Sequence, residues 1–115
     1  MVTKNSFNCI GRLTADPEVF ETNGVKRAEF SLAVEKSDSN NSEKGNVNFF
    51  DFIAWRGVAE YIENNFHKGD LIEVVDAYAN VREFVDNEGN KRRKTEYQIN
   101  RAYMLSKKRS FSESE

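Results

Sequence analysis

Residues 91–109 hold the densest chemistry in this sequence. Lys91-Arg92-Arg93-Lys94, Arg101 and Lys107-Lys108-Arg109 supply eight cations against the single anion Glu96, a local charge of +7. The whole chain carries −2, so the remainder carries −9. A charge run alone is as readily a solvated hairpin as a binding track. Its weight rises with the flat side chains near it. Phe49 and Trp55 lie six residues apart on one face of an apolar segment, about 20 Å along an extended strand. Phe84 lies beside Arg82 at the start of the basic stretch. Cations that track a phosphate backbone, combined with rings on which bases stack, are how single-stranded nucleic acid is held. Each stacked base contributes about 1–3 kcal/mol with little regard to its identity. The barrel core is the competing reading for the aromatics. It is preferred for Phe30, Phe50 and Phe52, and exposure is preferred for Trp55 and Phe84.

Other chemistries find no converging groups. Asp16 and Glu18 flank Pro17 in a turn, where carboxylates usually serve as caps. His67 is the single histidine and Cys9 the single cysteine, so neither a zinc set nor an internal disulfide is expected. Serines cluster in polar stretches with no histidine or aspartate placed to activate them. Glycines are scattered rather than gathered into a phosphate-cradling loop. No catalytic role, metal or cofactor is expected. The N-terminus, Met1-Val2-Thr3-Lys4-Asn5-Ser6, has no apolar targeting core. No apolar run approaches the roughly 20 residues of a membrane span. A soluble, cytoplasmic protein without a membrane partner is the expectation.

At 115 residues the chain fits one domain. Hydrophobic residues make up 38%, charged residues 31% and mean hydropathy is −0.73. The 14 aromatics are nonetheless more than a disordered chain carries. Residues 5–14 read as a strand with a bulge or bend at Gly11. Pro17 is expected to stop its pairing, and Asn23-Gly24 marks a turn. Val25–Val34 forms a second strand, with Ala28, Phe30, Leu32 and Val34 on one face. Residues 37–46 contain no apolar side chain and read as an exposed, mobile loop. A third strand, Val47–Trp55, is aromatic on both faces. Val58, Ile62 and Phe66, with Tyr61 beside them, predict a helix over 57–66 closed by Gly69. Leu71–Val85 and Lys91–Leu105 read as two long strands joined by Asp86-Asn87-Glu88-Gly89-Asn90. The fold class is thus all-β with one short helix. Five strands with the helix between strands 3 and 4 match the five-stranded Greek-key barrel of the OB-fold, and an open meander or split sheet stays possible.

Five blocks, in order, carry a resemblance. They are Ile10-Gly11-Arg12-Leu13-Thr14-Ala15-Asp16-Pro17-Glu18, Ala28–Val34, Ala54-Trp55-Arg56-Gly57-Val58-Ala59-Glu60, Lys68-Gly69-Asp70-Leu71, and the hairpin from Arg82-Glu83-Phe84 to Lys94-Thr95-Glu96. Over about residues 5–105 the chain resembles the bacterial and phage single-stranded DNA-binding proteins of the homo-oligomeric OB-fold type. The resemblance implies sequence-independent binding and protection of single strands in replication, recombination or repair. It places stacking at Phe49, Trp55 and Phe84. A fourth stacking position of that family falls at about Asp38 here, which lacks a ring. The expected backbone track is Arg12, Arg56, Arg82, Lys91, Arg92, Arg93 and Lys94.

The resemblance also implies a homotetramer, with a dimer as fallback. An OB-fold domain over residues 1–106 and a short polar, frayed tail over 107–115 are expected. That tail, ending Ser110-Phe111-Ser112-Glu113-Ser114-Glu115, lacks the long linker and acidic, hydrophobic-ended tip common in the family. Recruitment of replication enzymes by that route is therefore not expected. Two other classes stay open, an OB-fold protein-interaction module and an RNA-binding OB domain.

Overall fold

The computed structural model describes residues 3–36 and 46–107. Asp38, most of the polar segment 37–46, and residues 108–115 with Lys108, Arg109 and Phe111 lie outside the described residues. The elements run β1 (Phe7–Leu13), β2 (Glu18–Thr22), β3 (Val25–Glu35), β4 (Val47–Trp55), α1 (Arg56–Asn65), β5 (Leu71–Val85), β6 (Lys91–Gln98) and β7 (Arg101–Ser106).

Five of the strands close a ring. β1 pairs with β3, β3 with β4, β4 with β6, β6 with β5, and β5 returns to β1. Every contact is antiparallel except β4 with β6. The helix falls between the third and fourth strands of this ring, as expected for an OB-fold barrel.

Two strand boundaries differ from expectation. β1 ends before Pro17, as expected, but the chain re-enters the sheet directly after it: Glu18–Thr22 pairs fully with Val25–Glu29, and the missing N–H lies just outside that ladder. Asn23 and Gly24 have φ of 53° and 79°, the double positive that a two-residue hairpin turn requires. The expected last strand is also divided. β5 pairs with β7 as far as Val75–Arg101, then with β6 from Tyr78–Gln98. Between these, Asp76 takes φ of 59° and Ile99 dives into the core, its N–H bonded to the Ile53 carbonyl at 3.0 Å. Closing the barrel requires that break.

The core follows side-chain alternation. Ala28, Phe30 and Leu32 of β3 are buried, and Val34 is half-buried against them. On β4, Phe52 and Ala54 are buried and Phe50 packs partly against the cluster. Phe7 and Tyr97 stack at 4.4 Å beside Phe52, and Phe30 stacks on Phe52 at 5.4 Å. The helix caps the barrel with Ala59 and Ile62, and Phe66 follows at its C-terminal end. Tyr61, expected beside that stripe, is exposed instead. The Lys26 ammonium meets the Glu63 carboxylate at 2.6 Å, linking β3 to α1.

The irregularity in β1 falls between Phe7 and Cys9 rather than at Gly11. Gly11 has another reason to be small: a Cβ there would meet the Ala33 carbonyl oxygen at 2.7 Å and Val34 Cγ2 at 2.8 Å. Both neighbours are fixed by the β1–β3 crossing. Gly11→Ala should therefore cost about 1–3 kcal/mol of unfolding free energy. Gly57, with open space where its Cβ would be, should tolerate alanine at no cost or gain up to about 1 kcal/mol. Urea denaturation of both variants checks this, and equal stabilities would contradict the close approach.

Candidate nucleic-acid interface

Strand pairing arranges the outer face of the barrel in rows. Arg12 of β1 sits opposite Ala33 of β3, and Ala33 opposite Phe49 of β4. Ser31 faces Asp51, and the two side chains are hydrogen-bonded. Glu18, Glu29 and Ile53 form the next row. Phe20, Arg27 and Trp55 form the last. Phe49 and Trp55 therefore stand on one face, at opposite ends of β4, and both are exposed, at 65% and 43%.

The hairpin of β5 and β6 continues this face. Trp55 donates its indole N–H to Gln98 Oε1 at 2.6 Å, which fixes the ring against β6. From Gln98 outward the cross-strand pairs are Tyr78–Gln98, Asn80–Glu96, Arg82–Lys94 and Phe84–Arg92. Alternation puts these side chains on Trp55's side of the hairpin. The pairs between them, Val81–Thr95, Glu83–Arg93 and Val85–Lys91, belong to the opposite side. The expected basic track is thereby split. Arg82, Arg92 and Lys94 join Phe84 and Trp55, whereas Lys91 and Arg93 face away. Arg12 lies at the Phe49 end. Arg56 opens α1 with a φ of 57° and lies beyond the rows.

The cations are not equally available. The Arg82 guanidinium lies over the Phe84 ring at 5.2 Å and reaches Glu96 Oε2 at 3.4 Å. Arg93 pairs with Glu83 at 3.2 Å. Arg12 donates to the Gly69 carbonyl at 3.1 Å, which ties the loop after α1 to β1. Among the described residues, Lys91 and Lys94 form no ion pair. A groove of about 520 Å³ runs past Arg27, Trp55, Asn80, Arg82 and Gln98. Next to it is a smaller cleft, about 220 Å³, whose lining includes Asp16, Glu18, Glu29, Asp51, Glu96 and Lys94. A band of carboxylates thus separates Phe49 from Trp55.

The residues weighed and set aside for catalysis have structural partners. Asp16 Oδ1 accepts the Lys68 N–H at 2.8 Å. His67 donates its backbone N–H to Asp70 Oδ2 at 2.9 Å. Burial pushes the Cys9 thiol up to about 11, so it stays protonated at neutral pH and is a poor nucleophile. Among the described residues, no three His, Cys, Asp or Glu side chains gather where they could hold a metal ion.

A sequence profile described as the single-strand binding protein family matches residues 4–105. The chain belongs to that family. It is 39% identical over 83 residues to a single-stranded DNA-binding protein of Halalkalibacterium halodurans, covering 71% of this chain and 49% of that one. It is 36% identical over 86 residues to the protein of the same name from Malacoplasma penetrans, covering 74% and 43%. With single-stranded DNA-binding protein A of Bacillus subtilis it shares 34% over 100 residues, 86% of this chain and 58% of the relative. The chain spans about half the length of the curated relatives it matches.

Sequence reasoning overlooked Phe20, Arg27, Tyr78 and Gln98 on this face. The signal for the first two was present: counting back from the Asn23-Gly24 turn pairs Phe20 with Arg27. It is easily missed because the stretch between Pro17 and the turn is only five residues long.

At the hairpin tip, Asp86 Oδ1 accepts the N–H groups of Glu88 and Asn90, both at 2.9 Å, and Oδ2 accepts Arg92 Nε at 2.8 Å. The Arg92 bond first, and then the backbone bonds, hold the Asp86 carboxyl below its ordinary 3.8. A carboxyl so depressed stabilises the fold above 3.8, and that contribution disappears as pH falls through the lower folded value. NMR titration of the Asp86 carboxyl carbon should give a midpoint below 3.8, and Arg92→Ala should move it up. An unmoved midpoint would show that Arg92 is free of the turn.

Proposed function

We propose that this protein binds and protects single-stranded DNA without sequence preference. Phe49, Trp55 and Phe84 stack on bases, and Arg82, Arg92, Lys94 and Arg12 hold the phosphate backbone. The observation that carries this reading is the continuity from Trp55 through Gln98 to the Arg82–Lys94 and Phe84–Arg92 pairs. Exposed rings and cations alternate there along one surface, the combination that binds single strands. Lys91, Arg93 and Arg56 belong to the wider electrostatic field and make weaker contributions. The family and the printed names of the relatives agree with this reading. Replication, recombination and repair are the processes that expose such strands, so the protein acts in the cytoplasm of a bacterium or an infected host. No catalytic step is assigned to it.

Trp55 is the single tryptophan, so its emission reports the site directly. Titration with oligo-dT should quench it at low salt, and the affinity should fall linearly with salt on logarithmic axes. Unchanged emission at low salt would overturn the proposal. Lys94→Ala should weaken binding roughly three- to tenfold and lower the salt slope by about 0.7, the loss of one phosphate contact. Lys91→Ala, which removes an equally unpaired charge from the opposite side, should change both little. Competition with poly-U distinguishes DNA from RNA.

A homo-oligomer, with a tetramer as the first choice, is part of the same proposal. On the sheet of β1, β5 and β7, Ile10 and Tyr103 align through Glu73. Both are nearly half exposed, as is Leu105 two residues further along β7. Apolar surface gathered on one sheet face is characteristic of an association surface. Light scattering should give a multiple of 13.3 kDa, and Tyr103→Asp with Ile10→Asp should shift the protein to the single-chain mass. A wild-type protein already at 13.3 kDa would refute the oligomer.

A further inference from the structure

We propose that Phe20, braced by Arg27, is an additional base-stacking position, carried by a strand that the barrel does not need for closure. The inference rests on the DNA-binding reading above and extends it to β2. Phe20, Arg27 and Trp55 lie in one row across β2, β3 and β4. Neighbouring strands lie about 4.8 Å apart, so Phe20 and Trp55 are about 10 Å apart across the face.

The guanidinium stands between the two rings, 4.9 Å from the centre of Phe20 and 5.8 Å from that of Trp55. It lies over the Phe20 ring, and the residue keeps a large exposed surface beside it. Phe20 is 40% exposed, against 43% for Trp55 and 36% for Phe84. It is absent from the residues that pack on the core cluster, unlike its strand neighbour Val19. Glu29 Oε2 lies 3.0 Å from Arg27 Nε, which makes no aligned hydrogen bond. Arg27 is thus charge-balanced in place, and what it offers is a flat, weakly hydrated surface. The guanidinium and the indole line the groove that runs past Asn80, Arg82 and Gln98, and the Phe20 ring stands next to them in the same row.

A purely structural role for the row would make Phe20 a brace for Arg27 and nothing more. Phe20→Leu separates the two, because leucine keeps an apolar side chain of similar reach but has no ring. Oligo-dT affinity should fall about tenfold, the effect of losing one stacked base. Phe20→Tyr should restore it. The thermal midpoint of Phe20→Leu should stay near that of the parent. Direct contact is read by irradiating the complex with oligo-dT that carries 5-iododeoxyuridine, followed by trypsin. The peptide 13–26 has Phe20 as its sole aromatic and should carry an adduct. Adducts confined to peptides containing Phe49, Trp55 or Phe84, with undiminished affinity of Phe20→Leu, would overturn the proposal. Failure of the parent protein to bind or cross-link at all would instead bring down the DNA-binding reading, and this extension with it.

Discussion

Between β4 and β6 the chain makes a parallel contact only two register pairs long, Phe52 with Tyr97 and Ile53 with Gln98, continued by the Ile99 N–H to the Ile53 carbonyl. The ring of five strands closes through it. Parallel pairing contributes slightly less per residue than antiparallel pairing, so so short a contact depends on what lies beneath it. Beneath it are rings: Tyr97 packs 5.7 Å from Phe52 and 5.9 Å from Phe50, and Phe7 stacks on Tyr97. Aromatic pairs of this kind contribute about 0.5–1.5 kcal/mol each beyond the area they bury. The inner faces of two neighbouring pairs therefore hold the outer face in register. Without closure, Gln98 would not reach Trp55, and the basic hairpin would have no fixed relation to the rings of β4.

Charge on this face is arranged by position rather than amount. Asp51, Glu29, Glu18 and Glu96 occupy the middle, between Phe49 and Trp55, with Lys94 at the hairpin edge of the same cleft, while Arg82 and Arg92 belong to the hairpin. A phosphate drawn into the middle would meet carboxylates, of which Glu96 is buried and Glu29 half-buried, where screening by salt is weaker. On the proposed reading, the backbone of a bound strand would be directed to the hairpin side, with its bases toward the rings. That geometry would let an acidic body, −9 outside residues 91–109, hold a polyanion. It would also make stacking carry a larger share of the affinity.

The parts legible in the sequence were those governed by local period and composition. Alternation in Val25–Val34 identified Ala28, Phe30 and Leu32 as core, and the 3.6-residue spacing of Val58 and Ile62 identified the helix. Phe49 and Trp55 could be placed on one face because they share a strand. What stayed hidden were relations between strands. Counting along Lys91–Lys94 gives four adjacent cations, but pairing with β5 sends alternate ones to opposite sides. No local signal marks the break at Ile99-Asn100, since closure to β4 causes it and β4 is over forty residues away. The short strand after Pro17 was hidden for a different reason: the proline ends β1's stretch, yet a missing N–H matters only where a partner carbonyl faces it, and Pro17 lies just outside the β2 ladder.

The three rings assigned to base stacking differ in how firmly they are held. Trp55 is fixed twice, by its indole bond to Gln98 and by the buried Ala54 and Ile53 before it. Phe84 lies on a hairpin that projects past the barrel; Asn5 anchors its base, donating to the Ala79 carbonyl at 2.7 Å and accepting the Ala79 N–H at 2.9 Å. Beyond that anchor, β6 is the sole strand neighbour of β5 among the described residues. A preset ring loses little conformational freedom when a base arrives, whereas a ring on a mobile arm loses more and can follow the strand. On the proposed reading, a sequence-tolerant binder would gain from having both: Trp55 would supply a fixed reference surface, and a hairpin held only at its base would set Phe84 and its cations against the backbone path that bases on Trp55 impose. The ion pairs along the arm, Arg82 with Glu96 and Arg92 with Asp86, tie those side chains to the hairpin itself, so such an adjustment would be one of the hairpin as a unit.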